Sequence, residues 1–124
     1  MISFTVPLIP PSVNHYVKHT RTGRSYITAE ALAFKQALGV YSGSKMVRGK
    51  EFAVFIEVVL PKGKSGDVDN FPKLVLDGLA ECGIFRNRNW ERVSDAHVRQ
   101  LSVKVDAKSR PDEGRTVISV SALQ

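Results

Sequence analysis

Cysteine occurs once, as Cys82, in a chain of 124 residues. No internal disulfide can form, cysteine supplies no zinc site, and a reducing cytoplasm fits. Long apolar runs are also missing. None approaches the ~20 residues a membrane span needs. The first residues, Met1-Ile2-Ser3-Phe4-Thr5-Val6, carry neither a charged n-region nor a long apolar stretch, which argues against a secretory signal. The 3 histidines are scattered and make no metal cluster. Acidic residues are outnumbered, 12 against 18 Lys and Arg, leaving a formal charge of +6. That bias favours a polyanionic partner, nucleic acid first and an anionic membrane second.

What remains is ordinary for a globular protein: 43% hydrophobic and 24% charged residues. The length predicts one domain, 1–124, with one modest core. Ile2 to Leu8 alternates as a strand and stops at Pro10-Pro11. Residues 12–27 form a polar, basic connection. Thr28 is the expected cap of a helix running to about Leu38, with Glu30 favourable in its first turn. Phe52 to Leu60 is apolar on both faces and suits a central strand. A second helix is expected over 70–82, capped by Asp69 or Asn70 and ended by Gly83. Its apolar residues surround most of the circumference, so it is either deeply buried or shared with a second subunit. Residues 84–91 read as irregular. Val93 to Val105 reads as a long strand whose phase shifts between Val98 and Leu101, a bulge signal. Thr116 to Val120 is a last strand. The class is α+β: one domain, a mixed sheet of about four strands, and two main helices.

The chemistry concentrates in Gly66-Asp67-Val68-Asp69-Asn70-Phe71-Pro72-Lys73. In an extended segment, residues i and i+2 point to one side, so Asp67 and Asp69 can converge on a hard cation. An Asx turn plus a helix cap accounts for the same pair. An EF-hand is excluded, because Pro72 stands where its glycine must be. Lys73 follows on the first helical turn, where it can stabilise a phosphate's developing charge or pair with Asp69 or Asp77. A basic loop, with Lys62 and Lys64, precedes the pair. The segment 12–27 interleaves Asn14, His15, Lys18, Arg21 and Arg24 with Tyr16 and Tyr26. That mixture fits backbone contact and base stacking, and also a plain solvated loop. Trp90 fits a core anchor, a dimer contact or a nucleobase contact equally well. His97 is expected to be structural and Cys82 to be buried packing.

With these residues in view, the chain resembles the RusA family of Holliday junction resolvases, small Mg²⁺-dependent endonucleases often encoded by prophages. Pro7 to Tyr16 is similar to the family's proline-rich lead into an Asn-containing basic segment. Ser25 to Ala29 is similar to its lead into the first helix. The specific part is D-x-D-N-x-x-K over Asp67 to Lys73, with Asp77-Gly78-Leu79 beyond it. The resemblance implies metal-ligand roles for Asp67 and Asp69. It gives Lys73 the role of the essential lysine and Asn70 that of a supporting polar residue, with Asp77 a further supporting candidate. It also implies Mg²⁺, replaceable by Mn²⁺, a homodimer, and paired symmetric nicks in a four-way DNA junction during recombination and repair. The expected DNA contacts are Asn14, His15, Tyr16, Lys18, Arg21, Arg24, Lys62 and Lys64. The family places a further aspartate after the second helix. Here the stretch Gly83 to Val93 holds one carboxylate, Glu91, which is the candidate third metal ligand and catalytic residue. Asn87 and Asn89 are the other residues in that position. The alternative is a weak or inactive relative that binds branched DNA without cutting it.

Overall fold

The computed structural model describes residues 1–11, 17–19, 25–64, 66 and 71–124; the side chains of 17–19 and 25–27 are outside the description. The elements, in chain order, are β1 (Ile2–Val6), β2 (Val17–His19), β3 (Ser25–Ile27), α1 (Ala29–Tyr41), β4 (Val47–Arg48), β5 (Phe52–Val59), α2 (Pro72–Glu81), β6 (Phe85–Arg86), β7 (Val98–Asp106) and β8 (Arg115–Ala122). The main sheet has the order β1-β8-β5-β7. Its first three strands pair antiparallel, while β5 and β7 pair parallel. A parallel neighbour requires a crossover, and α2 supplies it. Two short pairs complete the fold, β2 with β3 and β4 with β6. The class expected from sequence, α+β with a four-stranded mixed sheet and two helices, is the one observed.

Phe52 to Leu60 does form a central strand, and the reason is burial. Phe52, Val54, Ile56 and Val58 lie on the helix-covered face of the sheet with Ile118 and Val120 of β8 and Val6 of β1. Phe34 and Leu38 of α1 and Leu74, Val75 and Leu79 of α2 close this core. Each such side chain contributes about 1.5–3 kcal/mol on burial. The opposite sheet face is mixed: Ser3 and Ser119 share a 2.9 Å hydroxyl bond there, beside the exposed Phe55. Arg99 is the extra residue between the pairs Phe52↔Val98 and Ala53↔Gln100. The bulge expected between Val98 and Leu101 is therefore present.

Several boundaries moved. Thr28 does cap α1, its hydroxyl accepting the Ala31 N–H at 3.3 Å. The helix runs through Gly39 to Tyr41, because buried Leu38 anchors that turn and Gly39 packs beside Cys82. The N-cap of α2 is Phe71, not Asp69 or Asn70, and it makes no side-chain cap bond. Pro72 at the helix start has φ already set for the first helical residue and no N–H of its own to satisfy. Leu74, Val75, Gly78 and Leu79 of α2 are buried within the chain, with Leu76 and Ala80 partly so. Cys82 ends it, and Gly83 follows at φ +83°, a left-handed value glycine adopts without cost. The strand expected from Val93 begins only at Val98, after a 3₁₀ turn at Asp95–His97. His97 sits exposed in that turn rather than in a strand.

Candidate active site

The segment between β5 and α2 leaves the sheet after Val59 and leads to Phe71 at the start of the helix. Its base is held from several directions. The Leu60 N–H donates to Asp106 O at 2.9 Å, and the Lys62 N–H to Pro111 O at 3.1 Å. The Arg110 guanidinium reaches Pro61 O at 3.2 Å and also Lys64 O. Arg110 is presented by a turn that Asp106 organises. The Asp106 carboxylate accepts the N–H groups of Lys108 at 2.8 Å and Ser109 at 3.2 Å, and the Ser109 hydroxyl at 3.0 Å. Those bonds hold its carboxyl below the ordinary carboxylate range. At the other margin, a Cβ on Gly66 would lie 2.2 Å from Cζ of the buried Phe71 ring. Only glycine lets the chain pass there.

Asp67, Asp69 and Asn70 lie outside the described residues. So do Asn14, His15, Tyr16, Arg21 and Arg24, and the side chain of Lys18, whose backbone belongs to β2. Among the described residues, no group of three or more His, Cys, Asp or Glu converges on one point. Lys62 and Lys64 are exposed on the basic loop, with Lys62 Nζ 3.1 Å from Asp112. Lys73 stands on the first turn of α2 with its side chain 66% exposed. Its Nζ is 3.9 Å from Asp77 Oδ2, a loose surface pair that contributes little. The first turn of α2 has no acidic residue. A cation there opposes the helix dipole, so local helix stability does not explain Lys73. An anion at this helix start would be favoured by both the lysine and the free N–H groups.

Glu91 is elsewhere. The chain after α2 forms a tight turn whose centre is Asn87. The Asn87 N–H donates to Glu91 O at 2.9 Å, and its Oδ1 accepts the N–H groups of Asn89 and Glu91, both at 2.9 Å. That oxygen is committed to the turn. Asn89 Nδ2 leans toward Glu91 Oε1 at 3.4 Å, and the Glu91 side chain is exposed. The turn adjoins the start of β5: Phe85 packs on Phe52 with ring centroids 5.0 Å apart, and Gly49 N–H donates to Arg86 O at 2.9 Å. Lys73 and Glu91 thus stand at opposite ends of α2, separated by about 15 Å of helix. Asp67 and Asp69, the carboxylates that Glu91 was expected to join, lie outside the described residues.

The turn carries a feature that sequence left undecided. Trp90 has φ +64°, which a bulky side chain rarely adopts and which costs about 1–2 kcal/mol. Its backbone is held on both sides: the N–H donates to Asn87 O at 3.0 Å, and its carbonyl accepts from Arg86 Nη1 at 3.1 Å. Arg48 places its guanidinium 5.2 Å from the ring centroid. Cys82, by contrast, is explained by packing. Burial pushes its thiol up, and its Sγ donates to Leu79 O at 3.4 Å.

Among the described residues, no helix is long and apolar enough to cross a membrane. The family model of the endodeoxyribonuclease RusA matches residues 7–121. A comparison with curated proteins gives no match. The family comprises crossover junction endodeoxyribonucleases, phosphodiester hydrolases of DNA recombination and repair that act on branched DNA and typically use a divalent metal. The matched span runs from the prolines after β1 to the last strand, and with it the chain belongs to the RusA family of Holliday junction endodeoxyribonucleases.

Proposed function

We propose that the chain resolves four-way junctions from a centre made by Asp67, Asp69 and Lys73. The observation that carries this is Lys73. It is exposed on the first turn of α2, against the helix dipole, directly after the acidic pair and inside the matched span. Two carboxylates form a hard oxygen donor set that fits Mg²⁺, with Mn²⁺ as a substitute. Bound there, such an ion supplies Lewis-acid charge neutralisation and lowers the pKa of a coordinated water. The chain's own part is to hold the phosphodiester at the start of α2, with Lys73 stabilising charge on the transferring phosphate. Asn70 and Asp77 support the carboxylates and the lysine. Lys62 and Lys64, with Asn14, His15, Tyr16, Lys18, Arg21 and Arg24, contact the DNA backbone.

Paired symmetric nicks need two such centres, and a C2 homodimer acting on cytoplasmic DNA supplies them. The test is a synthetic four-way junction with Mg²⁺, comparing wild type with Asp69→Asn. Paired nicks from the wild type alone support the assignment; equal nicking by the variant sinks it. One observation favours a second reading, binding without cutting. No aspartate follows Asp77 before Asp95, and Asn87 Oδ1 is already filled by two N–H groups. Tight junction binding that yields no product, even with Mn²⁺, would select that reading.

A further inference from the structure

Two turns clasp each other at the Val59 end of the sheet. The first runs from Pro61 to Lys64. It closes with the Lys64 N–H donating to Pro61 O at 3.3 Å, and Gly63 supplies a left-handed φ of +79°. The second follows β7 and runs from Asp106 to Pro111. Arg110 joins the two. Its Nε donates to Ala107 O at 2.9 Å within its own turn, and its Nη1 reaches across to Pro61 O at 3.2 Å and to Lys64 O. One nitrogen therefore bridges the first and last carbonyls of the Pro61–Lys64 turn. Lys62, inside that turn, is held from the same side: its N–H donates to Pro111 O at 3.1 Å, and its Nζ lies 3.1 Å from Asp112 Oδ1.

Arg110 reaches this position from φ +42°, a left-handed backbone that arginine rarely adopts and glycine adopts without cost. The strained position thus carries a side chain whose guanidinium is spent on three main-chain carbonyls. A planar fork can hold carbonyls in several directions at once, which the point charge of a lysine does not reproduce. The carbonyls belong to a stretch that ends three residues before Asp67, and Gly66 beyond it is fitted against the Phe71 ring.

We propose that Arg110 is a positioning residue for the divalent metal: by fixing the Pro61–Lys64 turn it fixes where the chain delivers Asp67 and Asp69, and so raises their affinity for the ion. The inference rests on the cutting centre proposed above and adds to it a residue distant in sequence. Groups that orient metal ligands from behind typically change metal affinity by about 10–100-fold. The sign of the effect is diagnostic. Removing a positive charge would by itself tighten a nearby cation, so weaker metal binding without Arg110 reports position and not charge.

The experiment titrates the full chain with Mn²⁺ in the absence of DNA, following the free ion by electron paramagnetic resonance. Junction nicking is measured across a range of Mg²⁺ beside it, and thermal melts check folding. Arg110→Gly relieves the backbone strain and is expected to fold, yet to bind Mn²⁺ about tenfold more weakly. Arg110→Lys keeps the charge without the fork and is expected to weaken Mn²⁺ similarly. In both, half-maximal nicking moves to about tenfold higher Mg²⁺, the rate at saturating Mg²⁺ largely recovers, and junction affinity in metal-free buffer is unchanged. Lys108→Gln removes a charge from the same turn and should not weaken Mn²⁺. Equal Mn²⁺ affinity in folded Arg110→Gly and wild type overturns the proposal, whatever happens to the melting temperature. So does a loss of junction affinity that Arg110→Lys restores, because Arg110 is then a phosphate contact. Wild type that binds Mn²⁺ and nicks, with both Arg110 variants identical to it, defeats this inference alone. Wild type that neither binds Mn²⁺ nor nicks defeats the proposed function and this inference with it. For a protein that binds Mn²⁺ without cutting, the Mn²⁺ titration of the variants decides by itself.

Discussion

The two ends of β5 differ in charge, in how they are built, and in how easily they are read. At the Val59 end the chain leading to the acidic residues is fastened by Arg110 and Asp106 and passes the Phe71 ring at Gly66. At the Phe52 end the cations of two distant segments are drawn together around a strained tryptophan. The first end collects carboxylates within a few residues of sequence. The second collects arginines and lysines only after the chain has folded. The strand between them is about 23 Å long, or about seven base-pair rises of DNA.

The difference between the two ends can be tested experimentally. The largest effect is expected at the acidic end, where Asp69→Asn should reduce junction cleavage a thousandfold or more, about 4 kcal/mol in barrier, and leave binding intact. Chelation of divalent metal should do the same to the wild type. Next is Lys73→Ala, expected to lower cleavage by about 10²–10³-fold in single-turnover assays with junction affinity nearly unchanged. A parallel loss of affinity would make Lys73 a binding residue instead. At the other end, Glu91→Gln decides whether the turn after α2 takes part in cleavage: a loss matching that of Asp69→Asn makes its carboxylate a third ligand, and an unchanged rate does not.

The smallest effect concerns the base of the acidic loop. The Asp106 carboxyl is held low in the folded state, so its contribution is present above the unfolded value and lost as pH falls through the folded one. Asp106→Ala should therefore lower the melting temperature at neutral pH, and the difference from wild type should shrink once acid protonates the carboxyl. Asp106→Asn, which keeps an acceptor oxygen for the Lys108 and Ser109 N–H groups, should lose less. Thermal melts across the acid range measure both.

Much of this was legible beforehand, for identifiable reasons. The apolar run Phe52 to Leu60 announced a central strand, Thr28 announced a cap, and the broken phase before Leu101 announced the Arg99 bulge. Each rests on a pattern within a few residues. Spacing likewise singled out Lys73 beside the acidic pair. Long-range geometry was not legible. The role of Glu91 rests on its being the one carboxylate in the stretch Gly83 to Val93, while Asp67 and Asp69 lie outside the described residues. The helix start was misplaced because Asp69 and Asn70 are good cap residues by type, whereas the helix begins at Pro72 and puts Phe71 at the cap position. Trp90 stayed undecided because its strain and its Arg48 neighbour exist only in the folded chain.

The order of strands has a consequence for how the protein is made. β8 lies between β1 and β5, so the sheet's first strand attaches to the rest only through its last. The Ser3–Ser119 hydroxyl bond joins residues 116 apart in the chain. On the ribosome, β1 has no neighbour to pair with until β8 emerges, and the helix-covered face of β5 stays open along one side until then. Closure of so long a loop is slow relative to local helix formation. The nascent chain should therefore hold its helices early and gain its sheet in one late step, after β8 clears the exit tunnel.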